Sequence, residues 1–282
     1  MKYIRSIPTI ALAFLVAFLV AMPAAAMGGK ESAEPSGGAD KPVVVVSILP
    51  QAFFVERIAG NRVRPVVLVG PGQSPHAYEP TPRQMADLAS AKMWLVIGAE
   101  FENALKPKVA SLYPGLRIVD TTAGITYRRL EAHGHDDEDG QADGGGHDEE
   151  AIDPHVWLGR QAVKAMAASI RDALTGADPA GGSAYAANHD AFIRDVDATY
   201  DGMVKRLAAL RGTTAFVYHP AFGYLLDELG MEQEAVETGG KEPTQKNLSE
   251  LIAEAKADGA KVIFVQAQFP KSAAQAVADA LG

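Results

Sequence analysis

From residue 43 onward, short apolar runs alternate with longer segments of helical periodicity. Val43–Ile48, Val63–Val69, Met93–Ile97 and Leu116–Val119 are rich in β-branched residues and bounded by turn formers, which predicts buried strands. Helical candidates lie between them, most clearly over 82–90. There Thr81 can cap, Pro82 suits the first turn and Gln84 completes a capping box. A further helix is predicted over 160–174. After the break Ala177-Asp178-Pro179-Ala180-Gly181-Gly182, the residues Tyr185, His189, Phe192, Val196, Met203, Leu207 and Leu210 mark one apolar helix face, predicted over 183–211. At 1.5 Å per residue this helix would span about 40 Å. Lying between two α/β segments, it reads as a rigid connector. The alternation then resumes with strand 214–218, helix 222–229, strand 234–237, helix 245–258, strand 261–265 and helix 271–281. Leu248, Leu251, Ile252 and Ala255 give the 245–258 helix its apolar stripe.

Strands alternating with helices predict an α/β fold in which mostly parallel sheets carry helices on their faces. The expected organisation is an N-terminal lobe over 43–182, a connecting helix over 183–211 and a C-terminal lobe over 212–282. The second lobe has three predicted strands against four in the first. The expectation is therefore that a last strand and helix are missing from this chain. Ahead of the first strand, Lys2 and Arg5 precede an apolar run from Ile10 to Val20 and the small residues Ala24-Ala25-Ala26. This is the pattern of a cleaved export signal over 1–26, and the run is short for a membrane span of about 20 residues. Residues 27–42 are small and polar and read as a flexible tether. The expected location is periplasmic or otherwise extracytoplasmic.

The chain has 282 residues and no cysteine, so disulfides, thiolate metal sites and cysteine nucleophiles are excluded. Any metal must be held by imidazole, carboxylate or water. The formal charge of −9 is concentrated: residues 131–150 hold nine carboxylates and no Lys or Arg, which leaves the rest of the chain neutral. With no basic stripe, nucleic acid is not an expected partner.

Seven histidines fall into three groups. His76 lies in Pro71-Gly72-Gln73-Ser74-Pro75-His76-Ala77-Tyr78-Glu79-Pro80-Thr81-Pro82, a loop stiffened by four prolines between a strand and a helix. His155 lies in Asp153-Pro154-His155-Val156-Trp157-Leu158, where Asp153 can accept an imidazole N–H and so fix which nitrogen faces a metal. His219 directly follows strand 214–218 and precedes Pro220. Loops at the carboxyl ends of strands form the ligand crevice of open α/β sheets. Three such imidazoles, two from one lobe and one from the other, suit the preference of zinc for nitrogen in tetrahedral geometry. His133, His135 and His147 lie in the acidic segment, whose composition predicts disorder without metal and loose cation gathering. His189 falls on the apolar stripe of the long helix and reads as a packed, hydrogen-bonded residue.

The stretches PGQSPHAYEPTP, DPHVWL, VYHPAFGYLL and KEPTQKNLSELI together resemble the zinc- and manganese-binding substrate-binding proteins of ABC transporters. The resemblance runs from about Val43 to Gly282 with the motifs in order. It implies two α/β lobes joined by a long rigid helix, metal held between the lobes, and His76, His155 and His219 as three ligands. In that family the third ligand is usually glutamate in the manganese branch and histidine in zinc-type members, so His219 favours Zn2+ over Mn2+. The resemblance also implies a fourth ligand, often an aspartate, in a later strand and loop that this reading expects to be missing. Without it, the alternatives for that position are water, a carboxylate of the acidic segment or no ligand, with Glu79, Gln266 and Gln268 as in-chain candidates. EAHGHDDEDGQADGGGHDEE resembles the charged histidine-rich loop of zinc-type members. The implied function is capture of extracytoplasmic Zn2+ and delivery to the membrane permease of an ABC metal importer, by a monomer that is not an enzyme. The alternatives are a zinc-dependent hydrolase, for which no HExxH or GxSxG stretch is present, a zinc buffer or chaperone without a transporter, and an adhesin-like surface role.

Overall fold

Four strands form the first sheet: β1 (Val43–Ile48), β2 (Arg64–Val69), β3 (Met93–Val96) and β4 (Arg117–Asp120). The structure, a computed structural model, describes residues 41–130, 152–235, 245–257, 259–260, 263–265, 275 and 278–279. Every strand pair in this sheet is parallel, in the order β2-β1-β3-β4. The central strands are covered on both faces: Val44, Val45, Val46, Trp94 and Leu95 are all buried, as continuous β-branched and large apolar runs require. The chain leaves β1 towards β2 on one side and crosses to β3 on the other, so the crevice of this sheet opens between the carboxyl ends of β1 and β3.

The covering helices are α1 (Leu49–Ala59), α2 (Pro82–Ser90), α3 (Glu100–Leu112), α4 (Arg160–Ala177) and α5 (Gly182–Arg206). The start of α2 is set locally. Thr81 Oγ1 accepts the Gln84 N–H at 3.3 Å, and Gln84 Oε1 accepts the Thr81 N–H at 2.9 Å. The Gln84 amide also donates to the carbonyl of Leu68 at 2.6 Å, which ties this helix to the end of β2.

The 25-residue α5 buries Tyr185, His189, Phe192, Val196 and Tyr200. It packs along α1 and α4, so most of its length belongs to the first lobe. It ends at Arg206, short of the predicted 211. Residues Ala208–Leu210 tighten into a 3₁₀ turn, Gly212 takes φ 77°, and Leu210 is 44% exposed. The chain must reverse here to enter the second sheet, and a left-handed glycine permits the reversal.

The second sheet is also wholly parallel, with order β6-β5-β7 for β5 (Thr214–Val217), β6 (Glu232–Ala235) and β7 (Ile263–Phe264). Alternate residues of β5 feed its two faces. Ala215 packs with Leu226 and Leu229 of α6 (Gly223–Leu229), and Phe216 packs with Leu251 and Ala255 of α7 (Gln245–Ala257). The helix α6 closes on Gly230 in the left-handed conformation. Two parallel sheets flanked by helices and linked through a long helix agree with the expected α/β class. The proposed signal 1–26, nearly all of the tether, the acidic segment 131–150 and most of helix 271–281 lie outside the described residues. No helix among the described residues is long and apolar enough to cross a membrane.

Candidate metal centre

His76, His155 and His219 reach one point from three loops. His76 sits in a 3₁₀ turn, Pro75–Ala77, entered through Ser74, whose hydroxyl accepts the His76 N–H at 3.3 Å. His155 caps a second 3₁₀ turn, Val156–Leu158, and packs edge-to-face on Trp157. His219 leaves the carboxyl end of β5, the middle strand of its sheet. One ring nitrogen of each lies within 4.8 Å of the others. His155 and His219 are buried, and their Nε2 atoms are 3.0 Å apart. With zinc–nitrogen bonds of about 2.0–2.1 Å, the edge of a tetrahedron is about 3.3 Å. The buried pair is thus spaced for one ion, and the remaining closure, at most about 1.5 Å, falls to the partly exposed His76.

The tautomer of His155 is set by Asp153. This fully buried carboxylate accepts the His155 backbone N–H at 2.9 Å and its ring Nδ1–H at 2.7 Å, leaving the Nε2 lone pair to face the centre. Burial pulls the His155 pKa below its ordinary value, and the nearby His219 and His76 lower it further, while the Asp153 hydrogen bond opposes them. The outcome is a neutral imidazole, the form that ligates metal. His76 Nε2 is a buried atom with no hydrogen-bond partner among the described residues, and His76 Nδ1 lies 3.5 Å from Glu100 Oε2. Cavities of about 320 and 330 Å³ open on two sides of the three imidazoles. The first is lined by Ile97, Ala99, Glu100 and Asn103 from the β3–α3 junction and by Leu130 and Ile152. The second is lined by Leu49, Pro50, the loop after β2 and Phe222.

His133, His135 and His147 lie outside the described residues. Arg129 and Ile152, which flank that segment, form an antiparallel bridge, and Ile152 lines the first cavity. Glu79 is exposed and lines neither cavity, and Gln266 and Gln268 lie outside the described residues. His189 is buried on α5, with Nδ1 3.0 Å from Asp190 Oδ1, and is absent from the histidine group. Three neighbours of the site went unmarked in the sequence reading: Glu100, Arg128 and Tyr224. Glu100 carried a usable signal, since it follows Gly98-Ala99 at a strand's carboxyl end, the same kind of position that drew attention to His219.

Comparison with known proteins agrees with this architecture. The chain is 27% identical over 242 residues to the zinc-binding lipoprotein AdcA of Streptococcus pneumoniae serotype 4, covering 84% of this chain and 47% of that one. It therefore spans about half the length of that relative. It is 28% identical over 258 residues to the high-affinity zinc uptake system protein ZnuA of Bacillus subtilis, covering 89% and 77% of the two chains. A crystal structure of ZnuA superposes with a TM-score of 0.76 at 30% identity, over 86% of this chain and 89% of that one. The family described as the periplasmic component A of the zinc-uptake complex, ZnuA, matches residues 44–282, and the chain belongs to that family of ABC-transporter substrate-binding proteins.

Proposed function

We propose that this protein captures Zn2+ outside the cytoplasm and hands it to the permease of an ABC metal importer. His76, His155 and His219 are the ligands in this reading, Asp153 orients His155, and zinc is cargo. The observation that carries it is the meeting of three imidazole nitrogens within 4.8 Å, two from the first lobe and one from the second. Family membership and the names of the relatives, which include zinc-binding and zinc-uptake proteins, support the same reading.

Zinc is preferred to manganese because an all-imidazole donor set suits the softer ion, whereas manganese favours carboxylate and water. The histidine- and acid-rich segment 131–150 collects cations for the tight site. Residues 1–26 direct export and are removed, and the carrier acts as a monomer. A hydrolase would need a general base at the metal; Glu79 is exposed and lines neither cavity, and Glu100, which lines the first, faces His76 Nδ1 at 3.5 Å.

The test is a competition titration of the purified chain with Zn2+ and with Mn2+, alongside single alanine variants of the three histidines. One tight zinc ion, lost in each variant, and much weaker manganese are expected. Manganese bound as tightly as zinc would refute the selectivity, and retention of zinc by all three variants would refute the site.

A further inference from the structure

The acid that orients His155 is itself held by a residue that reaches across the cleft. Asp153 Oδ1 is used by His155, but the fully buried Oδ2 has no hydrogen-bond partner among the described residues. Arg128 Nη1 stands 3.7 Å from that oxygen, with only 12% of the arginine side chain exposed. A buried carboxylate needs a compensating charge, and the guanidinium supplies it.

Arg128 is anchored from the other lobe. Its Nε donates to Asp227 Oδ2 on α6 at 2.9 Å, and its backbone N–H donates to the Tyr224 hydroxyl, also on α6, at 2.8 Å. That hydroxyl in turn donates to the Asp153 carbonyl at 2.9 Å, and the Asp153 N–H donates to the Arg128 carbonyl at 2.9 Å. One junction thus joins α6 of the second lobe to the acid behind a first-lobe histidine.

Gly223, the first residue of α6, belongs to the same junction. A Cβ there would lie 2.6 Å from Arg128 Nη1 and 2.7 Å from its Cζ. The glycine makes room for the guanidinium, and the chain conformation at this position does not demand it.

A second ion pair between the lobes provides an internal contrast. Arg160 Nη2 of α4 meets Glu228 Oε1 of α6 at 2.9 Å, with no contact to Asp153 or the histidines.

We propose that Arg128 is a positioning residue for metal retention: it clasps α6 to Asp153, so that apposition of the lobes locks His155 in its ligating orientation. This inference rests on the three-histidine reading of the site. Loss of a group that orients a metal ligand typically costs about 10- to 100-fold in affinity. Here the loss should fall on zinc release, because the anchoring of Arg128 on Tyr224 and Asp227 requires both lobes in place.

The experiment is stopped-flow release of zinc from the loaded full chain into excess chelator, with association measured separately. Arg128→Gln should release zinc about 10- to 100-fold faster with association changed by less than about threefold. Arg128→Lys should recover part of the loss. Gly223→Ala removes no polar atom and should accelerate release by displacing the guanidinium; it also carries the test if Arg128→Gln fails to fold. Glu228→Gln cuts the other inter-lobe pair and should accelerate release by no more than about fivefold, the most that a partly solvated pair of this kind supplies. Native release rates in both Arg128→Gln and Gly223→Ala would overturn the proposal, as would equal acceleration in Glu228→Gln, which would reduce the effect to general loosening of the lobes. His155→Ala separates the two levels. If it holds zinc as tightly as the native chain, the site reading itself fails; if it loses zinc while Arg128→Gln and Gly223→Ala both release it at the native rate, the clasp alone fails.

Discussion

Replacing Asp153 with asparagine probes the centre with little change in shape. The carboxylate accepts two hydrogen bonds from His155, at 2.9 and 2.7 Å, and is wholly buried. The amide keeps one oxygen but loses the charge that raises the ligand basicity of the imidazole. If it turns its NH₂ towards Nδ1, it places the ring proton on the nitrogen that must bind metal. The expected loss is about 10- to 100-fold in zinc affinity, equivalent to about 1.4–2.7 kcal/mol. Metal-free stability should change little, because removing a buried charge offsets the weaker hydrogen bonds.

The dependence on pH has a definite sign. Asp153 raises the His155 pKa against the lowering by burial, so asparagine makes His155 harder still to protonate. Proton competition at this ligand is weaker in the variant. The affinity gap between native and variant protein should be widest near pH 8 and narrow as pH falls below about 6. Competition titrations against a chelator of known affinity, run across that range, measure both effects. Equal affinities at neutral pH, or a gap that widens in acid, would refute the argument.

Three further outcomes are expected. His219→Ala should weaken zinc by about 100-fold or more, about 2.7 kcal/mol, while His189→Ala stays within about threefold; equal losses by titration would remove His219 from the centre. In the metal-free protein the lowered pKa of His155 means that the unfolded chain takes up its proton first. The associated stability is present above the ordinary histidine pKa of about 6.5 and is lost as pH falls through it, so the urea midpoint should drop between pH 7 and 5, and drop less in His155→Gln. Deletion of 131–150 should leave the tight-site affinity intact but lower uptake when zinc is scarce, and unchanged uptake in a transport assay would count against a gathering role.

Local chemistry was legible in the sequence, and long-range chemistry was not. The start of α2 could be read because cap, proline and reciprocal glutamine lie within four residues. The loops bearing His76 and His219 stood out for the same reason, being marked by adjacent prolines at strand ends. The C-terminus of α5 was misplaced because the apolar spacing continues through Leu207 and Leu210, whereas the turn into β5 depends on where the second sheet sits. Arg128 and Tyr224 are 96 positions apart and meet only through the packing of one lobe on the other. Nothing in the sequence around Arg128 distinguishes it from the other arginines of the chain. Its importance comes from the buried acid beside it.

The distribution of burial also decides where this molecule can open. The stripe of α5 against α1 and α4 contains Tyr185, Phe192, Val196 and Tyr200, each at most 8% exposed. Exposing one large apolar side chain costs about 1.5–3 kcal/mol, so bending α5 away from the first lobe is expensive. The seat of α6 holds less apolar surface, the partly buried Tyr224 and Leu225, together with the hydrogen bonds of the Tyr224 hydroxyl and two ion pairs. Arg128–Asp227 and Arg160–Glu228 are ion pairs whose acidic partners are 56% and 29% exposed, and partly solvated pairs of this kind contribute about 0–1 kcal/mol each. His219 enters the centre on the strand directly before α6. The cheapest route to parting His219 from His76 and His155 is therefore a shift of α6 on its seat, with α5 unbent. Amide exchange in the metal-free protein should accordingly be faster along α6 than along the buried face of α5, and zinc should slow it at α6. Faster exchange at α5 would place the opening in the long helix and refute this argument.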